Sequence, residues 1–139
     1  NVNRTTEISA GWSSINAIYE VAIERIRNVI PDLTILGGHS SHSYINGTNM
    51  YFNYFYDLVD CGPEEEVTKY YLPIISIICE ETLRHGGSIV HHHGIGKARA
   101  PWVRDEYGTS FPMLEALKQA FDPHGVMNIG TIIPRSPGA

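Results

Sequence analysis

Apolar side chains recur at helical spacing between residues 15 and 30 and form the clearest periodic pattern of the chain. Hydroxyl side chains at Ser13 and Ser14 precede the pattern and suit the N-cap of a helix. Pro31 stops it, because proline cannot continue a helix. The pattern therefore predicts an amphipathic helix whose apolar stripe is Ile15, Ile18, Tyr19, Ala22, Ile23, Ile26, Val29 and Ile30.

Three stretches on either side of this helix are typical of strands. Residues 5–10 favour β-structure, although apolar and polar residues alternate only imperfectly there. A second extended stretch is predicted from Thr34 to Tyr44. Asn46-Gly47 is a hairpin signal, because both central residues of a type I′ turn need positive φ. A β-hairpin with its second strand over residues 50–56 is predicted.

A second helix is predicted from Pro63 to Leu83. Proline suits the first helical position, and the acidic residues 64–66 suit a solvated first turn at the positive end of the helix dipole. Pro73 is expected to kink or split this helix, and Gly86-Gly87 to end it.

Residues 88–92 form the last predicted strand, so the element order is β-α-β-β-α-β. This order predicts an α+β, ferredoxin-like fold, in which a four-stranded antiparallel sheet carries two helices on one face. Two short helices near residues 101–105 and 111–121 and an irregular tail are expected to follow.

Composition narrows the class of protein. The 139 residues suit a single domain, 1–139, and the net charge of −5 argues against a nucleic-acid partner. No apolar run approaches the ~20 residues that cross a membrane. Cys61 and Cys79 match neither a zinc motif nor a disulfide framework, so a soluble, cytoplasmic protein is expected. Because the chain begins at Asn1 rather than at Met, we expect a domain excised from a longer protein.

Three adjacent histidines, His91, His92 and His93, make residues 86–99 the most distinctive stretch. On a strand, His91 and His93 would share one face and His92 would occupy the other. In the ferredoxin-like order, Tyr51 lies at a similar depth two strands away, about 10 Å to the side. A phenol and an imidazole at that level can act as general acid and base. Adjacent histidines on a strand point to opposite faces and no His-x₃-His pair exists, so no metal is expected.

Four segments of the chain are distinctive when taken together: 38–52 (GHSSHSYINGTNMYF), 86–99 (GGSIVHHHGIGKAR), 113–118 (MLEALK) and 122–128 (DPHGVMN). These segments resemble the C-terminal domain of FAD-linked oxidases of the vanillyl-alcohol-oxidase type. The resemblance extends in particular to the alkyldihydroxyacetonephosphate synthases.

This resemblance implies a cap domain that closes over an FAD held mainly by an N-terminal domain of the same polypeptide. The implied reaction exchanges the acyl group of acyl-dihydroxyacetone phosphate, a lipid-like substrate, for a fatty alcohol without net redox change. Within the motifs, the implied catalytic residues are Tyr51, His91, His92 and His93; the implied cofactor contacts are His92 and Asn128; and the expected substrate contacts are His39, His42, Lys97 and Arg99.

Three alternatives stay open. An FAD-linked 2-hydroxy-acid dehydrogenase or oxidase shares this scaffold, although such relatives carry Glu-His-Gly where this chain has His92-His93-Gly94 and a Gly-Asp-Gly-Asn-x-His stretch where it has the tyrosine hairpin. A free-standing ferredoxin-like binding module would use its open sheet face for a ligand or for a homodimer. A small metalloprotein would use the histidines.

Overall fold

A computed structural model describes residues 1–134 of the chain, which divide into two compact units. The first unit spans Asn1–His93, and the second begins at Gly94. The first unit holds strands β1 (Val2–Gly11), β2 (Leu33–His39) and β3 (Gly47–Tyr56), helix α1 (Ile15–Val29), a π-helical turn (Val67–Tyr71) and helix α2 (Leu72–Arg84).

The three strands form one antiparallel sheet in the order β1-β3-β2. Opposite residues on neighbouring strands include Glu7 and Tyr51 on β1 and β3, and His39 and Tyr51 on β2 and β3. Opposed residues point to the same face of a sheet, so these three side chains form one row across all three strands.

The other face of the sheet carries the core. Ile8, Phe52, Tyr54 and Tyr56 are fully buried there and pack against the apolar stripe of α1 and against α2. Two helices on one face of an antiparallel sheet confirm the predicted α+β class. They also leave the opposite face to polar side chains.

The predicted fourth strand is reduced to a single bridge. Ser88 pairs with Ser9, each donating its backbone N–H to the other's carbonyl, and no further ladder follows over residues 89–93. The bridge lies beside β1, as the ferredoxin-like order requires. Beyond it, the chain departs from the edge because the backbone amides of His92 and His93 donate to the Glu7 carboxylate instead of to a strand.

The predicted type I′ turn at Asn46-Gly47 is wrong. Neither residue has positive φ, and residues 40–46 form a longer connection between β2 and β3. Gly47 is required for another reason: a Cβ there would lie 2.3 Å from the carbonyl oxygen of Ala10. The glycine therefore permits close approach of β1 and β3.

The second helix divides near Pro73, as its sequence predicts. The π-helical turn passes directly into α2, with Pro73 at the second residue of α2, where a missing N–H is tolerated. The acidic first turn is only partly solvated. Glu64 and Glu65 are exposed, whereas Glu66 is buried and accepts hydrogen bonds from Arg4 and Tyr56.

The second unit contains helices α3 (Ala100–Tyr107) and α4 (Phe111–Phe121), joined by a 3₁₀ turn (Gly108–Ser110). Both helices fall where the sequence predicts them, and the irregular segment that follows matches the expected tail. Among residues 1–134, no helix combines the length and apolarity needed to cross a bilayer.

Candidate active site on the polar face of the sheet

Glu7 lies on the polar face of β1 and is completely buried. Its Oε1 atom accepts hydrogen bonds from Asn49 Nδ2 at 3.0 Å and from His91 Nδ1 at 2.9 Å, and lies 3.0 Å from His92 Nδ1. Its Oε2 atom accepts from the backbone amides of His92 (3.2 Å) and His93 (3.4 Å). Burial alone would raise the pKa of this carboxyl, but the hydrogen bonds outweigh burial and lower the pKa to about 2. The carboxylate is therefore ionised at neutral pH and acts only as an acceptor.

Two histidine–tyrosine pairs extend outward from this carboxylate. Nε2 of His92 lies 2.9 Å from the hydroxyl of Tyr51, and Nε2 of His91 lies 2.8 Å from the hydroxyl of Tyr44. Because Glu7 can only accept, the Nδ1 of His91 that bonds to it carries a proton, which leaves Nε2 of a neutral His91 to accept from the Tyr44 hydroxyl. Nδ1 of His92 lies 3.0 Å from Nδ1 of His91 as well as from Glu7, so the hydrogen bond between His92 and Tyr51 can run in either direction. We call Glu7–His92–Tyr51 the Tyr51 arm and Glu7–His91–Tyr44 the Tyr44 arm.

Burial decreases from Glu7 to the histidine of each arm. Glu7 is fully buried, the side chain of His91 is 20% exposed and that of His92 is 44% exposed. A buried negative charge thus orients two accessible imidazoles, which is the arrangement that proton transfer by histidine requires.

Asn49 holds the neighbouring loop against the same carboxylate. Its side-chain amide donates to Glu7, and its Oδ1 accepts from the backbone N–H groups of Ser41 (3.1 Å) and His42 (3.0 Å). The imidazole of His42 is thereby placed with its ring centroid 5.2 Å from those of both His91 and His92.

His39 stacks on Tyr51, with ring centroids 4.8 Å apart and an interplanar angle of 8°. Its Nδ1 lies 2.9 Å from Nδ2 of Asn53, the next residue on the same face of β3. The stack fixes one side of the tyrosine ring, while His92 meets the Tyr51 hydroxyl.

The expected alternation of the histidine triplet is wrong. His91 and His92 both reach the same carboxylate oxygen, and the ring of His93 lies edge-on to Tyr51 at 5.6 Å. All three rings gather on one side because residues 91–93 are not a strand. For the same reason His92 contacts Tyr51 directly rather than across two strand spacings.

Two groups of donor atoms lie close enough to one another for a metal ion. They are His42 with His91 and His92, and Glu7 with His92 and His93, with all donor atoms of a group within 4.8 Å. Hydrogen bonds within the cluster already engage the Glu7, His91 and His92 atoms.

Three residues predicted from the motifs lie in the second unit. Lys97 is exposed, whereas Arg99 is 5% exposed and its Nη1 atom has no hydrogen-bond partner within residues 1–134. Asn128 has a positive φ of 46° and lines a cavity of about 250 Å³ together with Leu114 and Lys118.

Sequence reasoning missed Glu7, Tyr44 and Asn49 as members of the site. Glu7 offered one weak signal, because it is a carboxylate in a strand whose other residues of the same parity, Thr5 and Ser9, are polar. That pattern predicts a polar face of the sheet. It does not predict that residues 88–93 cover this face and bury Glu7, which only the structure shows.

Family comparison agrees with the motifs. Residues 2–132 match the profile of the FAD linked oxidases, C-terminal domain. The chain belongs to this family. The family implies FAD as cofactor and implies that this domain forms only part of the FAD site.

Curated relatives are much longer than this chain. An uncharacterized FAD-linked oxidoreductase, YgcU, of Escherichia coli (strain K12) is 60% identical over 137 residues, which are 96% of this chain and 28% of that protein. An alkyldihydroxyacetonephosphate synthase of Trypanosoma brucei brucei is 31% identical over 103 residues, or 73% of this chain and 16% of that protein. A D-2-hydroxyglutarate dehydrogenase of Pseudomonas putida is 40% identical over 60 residues, or 43% of this chain and 6% of that protein.

A solved alkyldihydroxyacetonephosphate synthase structure shares the fold. It superposes with a TM-score of 0.50 at 16% identity, covering 96% of this chain and 19% of that one.

Proposed function

We propose that this chain is the substrate-side cap of a longer FAD-dependent enzyme and that the Tyr51 arm transfers a proton to or from the substrate. One observation carries the proposal: Tyr51 Oη lies 2.9 Å from His92 Nε2, and His92 Nδ1 lies 3.0 Å from the buried Glu7 carboxylate. Tyr51 and His92 act as the acid–base pair, with His91 and His93 completing the site.

In the direction of deprotonation, a substrate hydroxyl gives its proton to Tyr51 Oη as the tyrosine proton moves to His92 Nε2. The imidazolium that forms is stabilised by Glu7, whose carboxylate stays ionised because hydrogen bonds lower its pKa to about 2. The reverse transfer protonates a leaving group. Such positioned acid–base groups contribute roughly 10²–10⁴-fold to a rate.

The exposed aromatic rings of the site fit a flavin. His92 is 44% exposed, and the stacked rings of His39 and Tyr51 form a flat aromatic surface beside it. An isoalloxazine ring has a flat face that can lie against this surface, and the family resemblance assigns His92 and Asn128 as flavin contacts. Bound FAD would supply an electron-accepting ring, and Tyr51 and His92 of this chain would move the proton.

The partner in this proposal is an N-terminal FAD-binding domain of the same polypeptide. Its support is length, since the chain spans only 28% of the E. coli relative. In this proposal, residues 1–139 are one cap domain, which is inactive without the flavin domain. The proposed cytoplasmic location and any homodimer are properties of the longer protein.

For the reaction, we favour the exchange of an acyl for an alkyl group on dihydroxyacetone phosphate, because the T. brucei synthase aligns over 73% of the chain. His39, His42, Lys97 and Arg99 would contact that substrate, the two cations meeting its anionic group. Oxidation of a 2-hydroxy acid is the second candidate, supported by the shorter match to D-2-hydroxyglutarate dehydrogenase.

The test uses the protein expressed from its natural reading frame. We expect a yellow protein that contains FAD and converts palmitoyl-dihydroxyacetone phosphate plus hexadecanol to the alkyl product, with the flavin oxidised at the end. Anaerobic bleaching by D-2-hydroxyglutarate or glycolate would select the oxidase candidate instead. A colourless protein of about this chain's length would contradict the cap proposal and favour a binding module, and stoichiometric metal would favour a metalloprotein.

A further inference from the structure

The two arms are joined to each other directly as well as through Glu7. Nδ1 of His91 lies 3.0 Å from Nδ1 of His92. On the outer side of His91, its Nε2 atom lies 2.8 Å from the Tyr44 hydroxyl. On the outer side of His92, its Nε2 atom lies 2.9 Å from the Tyr51 hydroxyl. These atoms form an unbroken series of hydrogen-bond contacts, which we call the four-residue path: Tyr44, His91, His92 and Tyr51.

A triangle of atoms at the middle of the path sets the direction of its hydrogen bonds. Oε1 of Glu7 and the Nδ1 atoms of His91 and His92 lie 2.9–3.0 Å from one another. Two Nδ1–H groups at that separation would repel each other, whereas one N–H group and one lone pair attract. With the N–H on His91, His92 is protonated at Nε2 and donates to Tyr51. With the N–H on His92, both histidine–tyrosine hydrogen bonds reverse.

The Tyr44 end of the path reaches solvent. Tyr44 is 50% exposed and lies on the connection 40–46, and its contact with His91 is itself exposed. Glu7 is no alternative carrier of the proton, because its hydrogen bonds lower its pKa to about 2 and it stays ionised at neutral pH. A proton that crosses between the two arms therefore moves from one imidazole to the other.

We propose that His91 and Tyr44 form a proton relay that connects Tyr51 to solvent. The inference rests on the proposed function, because it says how the acid–base pair of that site regains its proton. In that function the substrate and the flavin cover Tyr51 and His92, so Tyr44 is the end of the path that still meets water.

Each passage moves one proton and leaves no charge on the path. When Tyr51 has given its proton to a leaving group, the Nε2 proton of His92 moves to the Tyr51 oxygen. The Nδ1 proton of His91 moves to Nδ1 of His92, the Tyr44 proton moves to Nε2 of His91, and solvent returns a proton to Tyr44. Both imidazoles have then changed tautomer. The path is now set for the opposite direction, in which a proton taken from a substrate hydroxyl leaves through Tyr44.

The first test determines the tautomers without turnover. In the full-length FAD protein with ¹⁵N-labelled histidine, the chemical shifts of Nδ1 and Nε2 show which nitrogen of each ring is protonated. Spectra of His91→Gln and His92→Gln assign the two rings. At neutral pH we expect His91 and His92 to be opposite tautomers, one protonated at Nδ1 and the other at Nε2. Two rings of the same tautomer would leave no donor–acceptor pair between them and would overturn the relay.

The second test is the rate of the chemical step in full-length Tyr44→Phe. We expect a fall of about 10–100-fold, less than for a group that meets the substrate, and a larger solvent deuterium isotope effect because proton return limits the rate. Added imidazole should restore part of the rate by supplying the lost proton donor. Pyrrole, a ring of the same size without a basic nitrogen, should not.

The control is Trp12→Phe, which removes the indole N–H that donates to the Tyr44 carbonyl at 3.0 Å but leaves the relay intact. We expect it to match the wild type. A Tyr44→Phe protein that keeps the wild-type rate, or that slows no more than Trp12→Phe and does not respond to imidazole, would overturn the relay. If the wild type turns over none of the proposed substrates, the proposed function fails, whereas the tautomers still decide the relay.

Discussion

Glu7 and Tyr51 are directly opposed on two antiparallel strands, and their side chains are joined through the imidazole of His92. The strand pairing fixes the distance between the Glu7 carboxylate and the Tyr51 phenol. Residues 91–93 cross over this face of the sheet and place the His92 imidazole between the two groups. The proton path is thus built from the paired strands and one loop.

Replacing the central carboxylate by its amide should loosen the whole cluster. Glu7→Gln keeps the size of the side chain but places an NH₂ group among donors from Asn49, His91 and the backbone. We expect a loss of about 1–3 kcal/mol in the free energy of unfolding and a fall in activity. Urea unfolding measures the first quantity, with the exposed Glu20→Gln as the matched control. Equal stability of the two variants would contradict the burial and bonding of Glu7.

Stability should depend on pH through the same carboxyl. The folded protein lowers the pKa of Glu7 from 4.5 to about 2, so its ionised form stabilises the fold above pH 4.5 and that contribution is lost as the pH falls towards 2. A shift of this size corresponds to about 3 kcal/mol. Unfolding free energies measured from pH 6 to pH 2 should therefore fall less steeply in Glu7→Gln than in the wild type. Parallel curves for the two proteins would count against the assignment.

A negative charge at position 49 should destabilise the fold. Asn49→Asp keeps the oxygen that accepts from Ser41 and His42 but removes the donor to Glu7 and sets a second carboxylate beside it. We expect a loss of at least about 2 kcal/mol. The control is Asn53→Asp, on the same face of β3 but only half-buried. Thermal or urea unfolding compares the two, and similar losses would show that burial beside Glu7 is not the cause.

Two glycines should respond differently to a methyl group. In Gly47→Ala the new Cβ would lie 2.3 Å from the Ala10 carbonyl oxygen, whereas in Gly37→Ala it meets nothing within 4 Å. We expect Gly47→Ala to cost about 1–3 kcal/mol of stability and Gly37→Ala far less. Unfolding midpoints of the pair test this, and a Gly37→Ala variant as unstable as Gly47→Ala would refute the close-approach argument.

Local patterns in the sequence predicted most of the fold. The apolar stripe and Pro31 bound α1 to within one residue, since helix periodicity and a helix breaker act locally. The predicted strand order placed Tyr51 and the histidine triplet at a similar depth, about 10 Å apart. Their direct contact was not predicted, because residues 91–93 are bent over the sheet by hydrogen bonds to Glu7, a residue 84 positions away in sequence from His91.

Glu7 itself could not be assigned from the sequence for a related reason. A carboxylate in a strand is usually solvated, and its burial depends on the later segment 88–93 and on Asn49. Glu66 is a second example. Of the acidic residues 64–66, which were expected to be solvated, only Glu66 is buried, because Arg4 and Tyr56 on the sheet donate hydrogen bonds to it. Long-range partners, rather than local pattern, decide which acidic residues enter the interior.

The most direct test of the account is the rate of the chemical step in the full-length FAD protein carrying Tyr51→Phe, with Tyr107→Phe as the control. Tyr51→Phe removes one hydroxyl from the proton path and keeps the stacked ring. We expect the rate to fall by roughly 10²–10⁴-fold with FAD content unchanged, and the control to match the wild type. A Tyr51→Phe enzyme that binds FAD and turns over at the wild-type rate would contradict the proton path through Tyr51, His92 and Glu7.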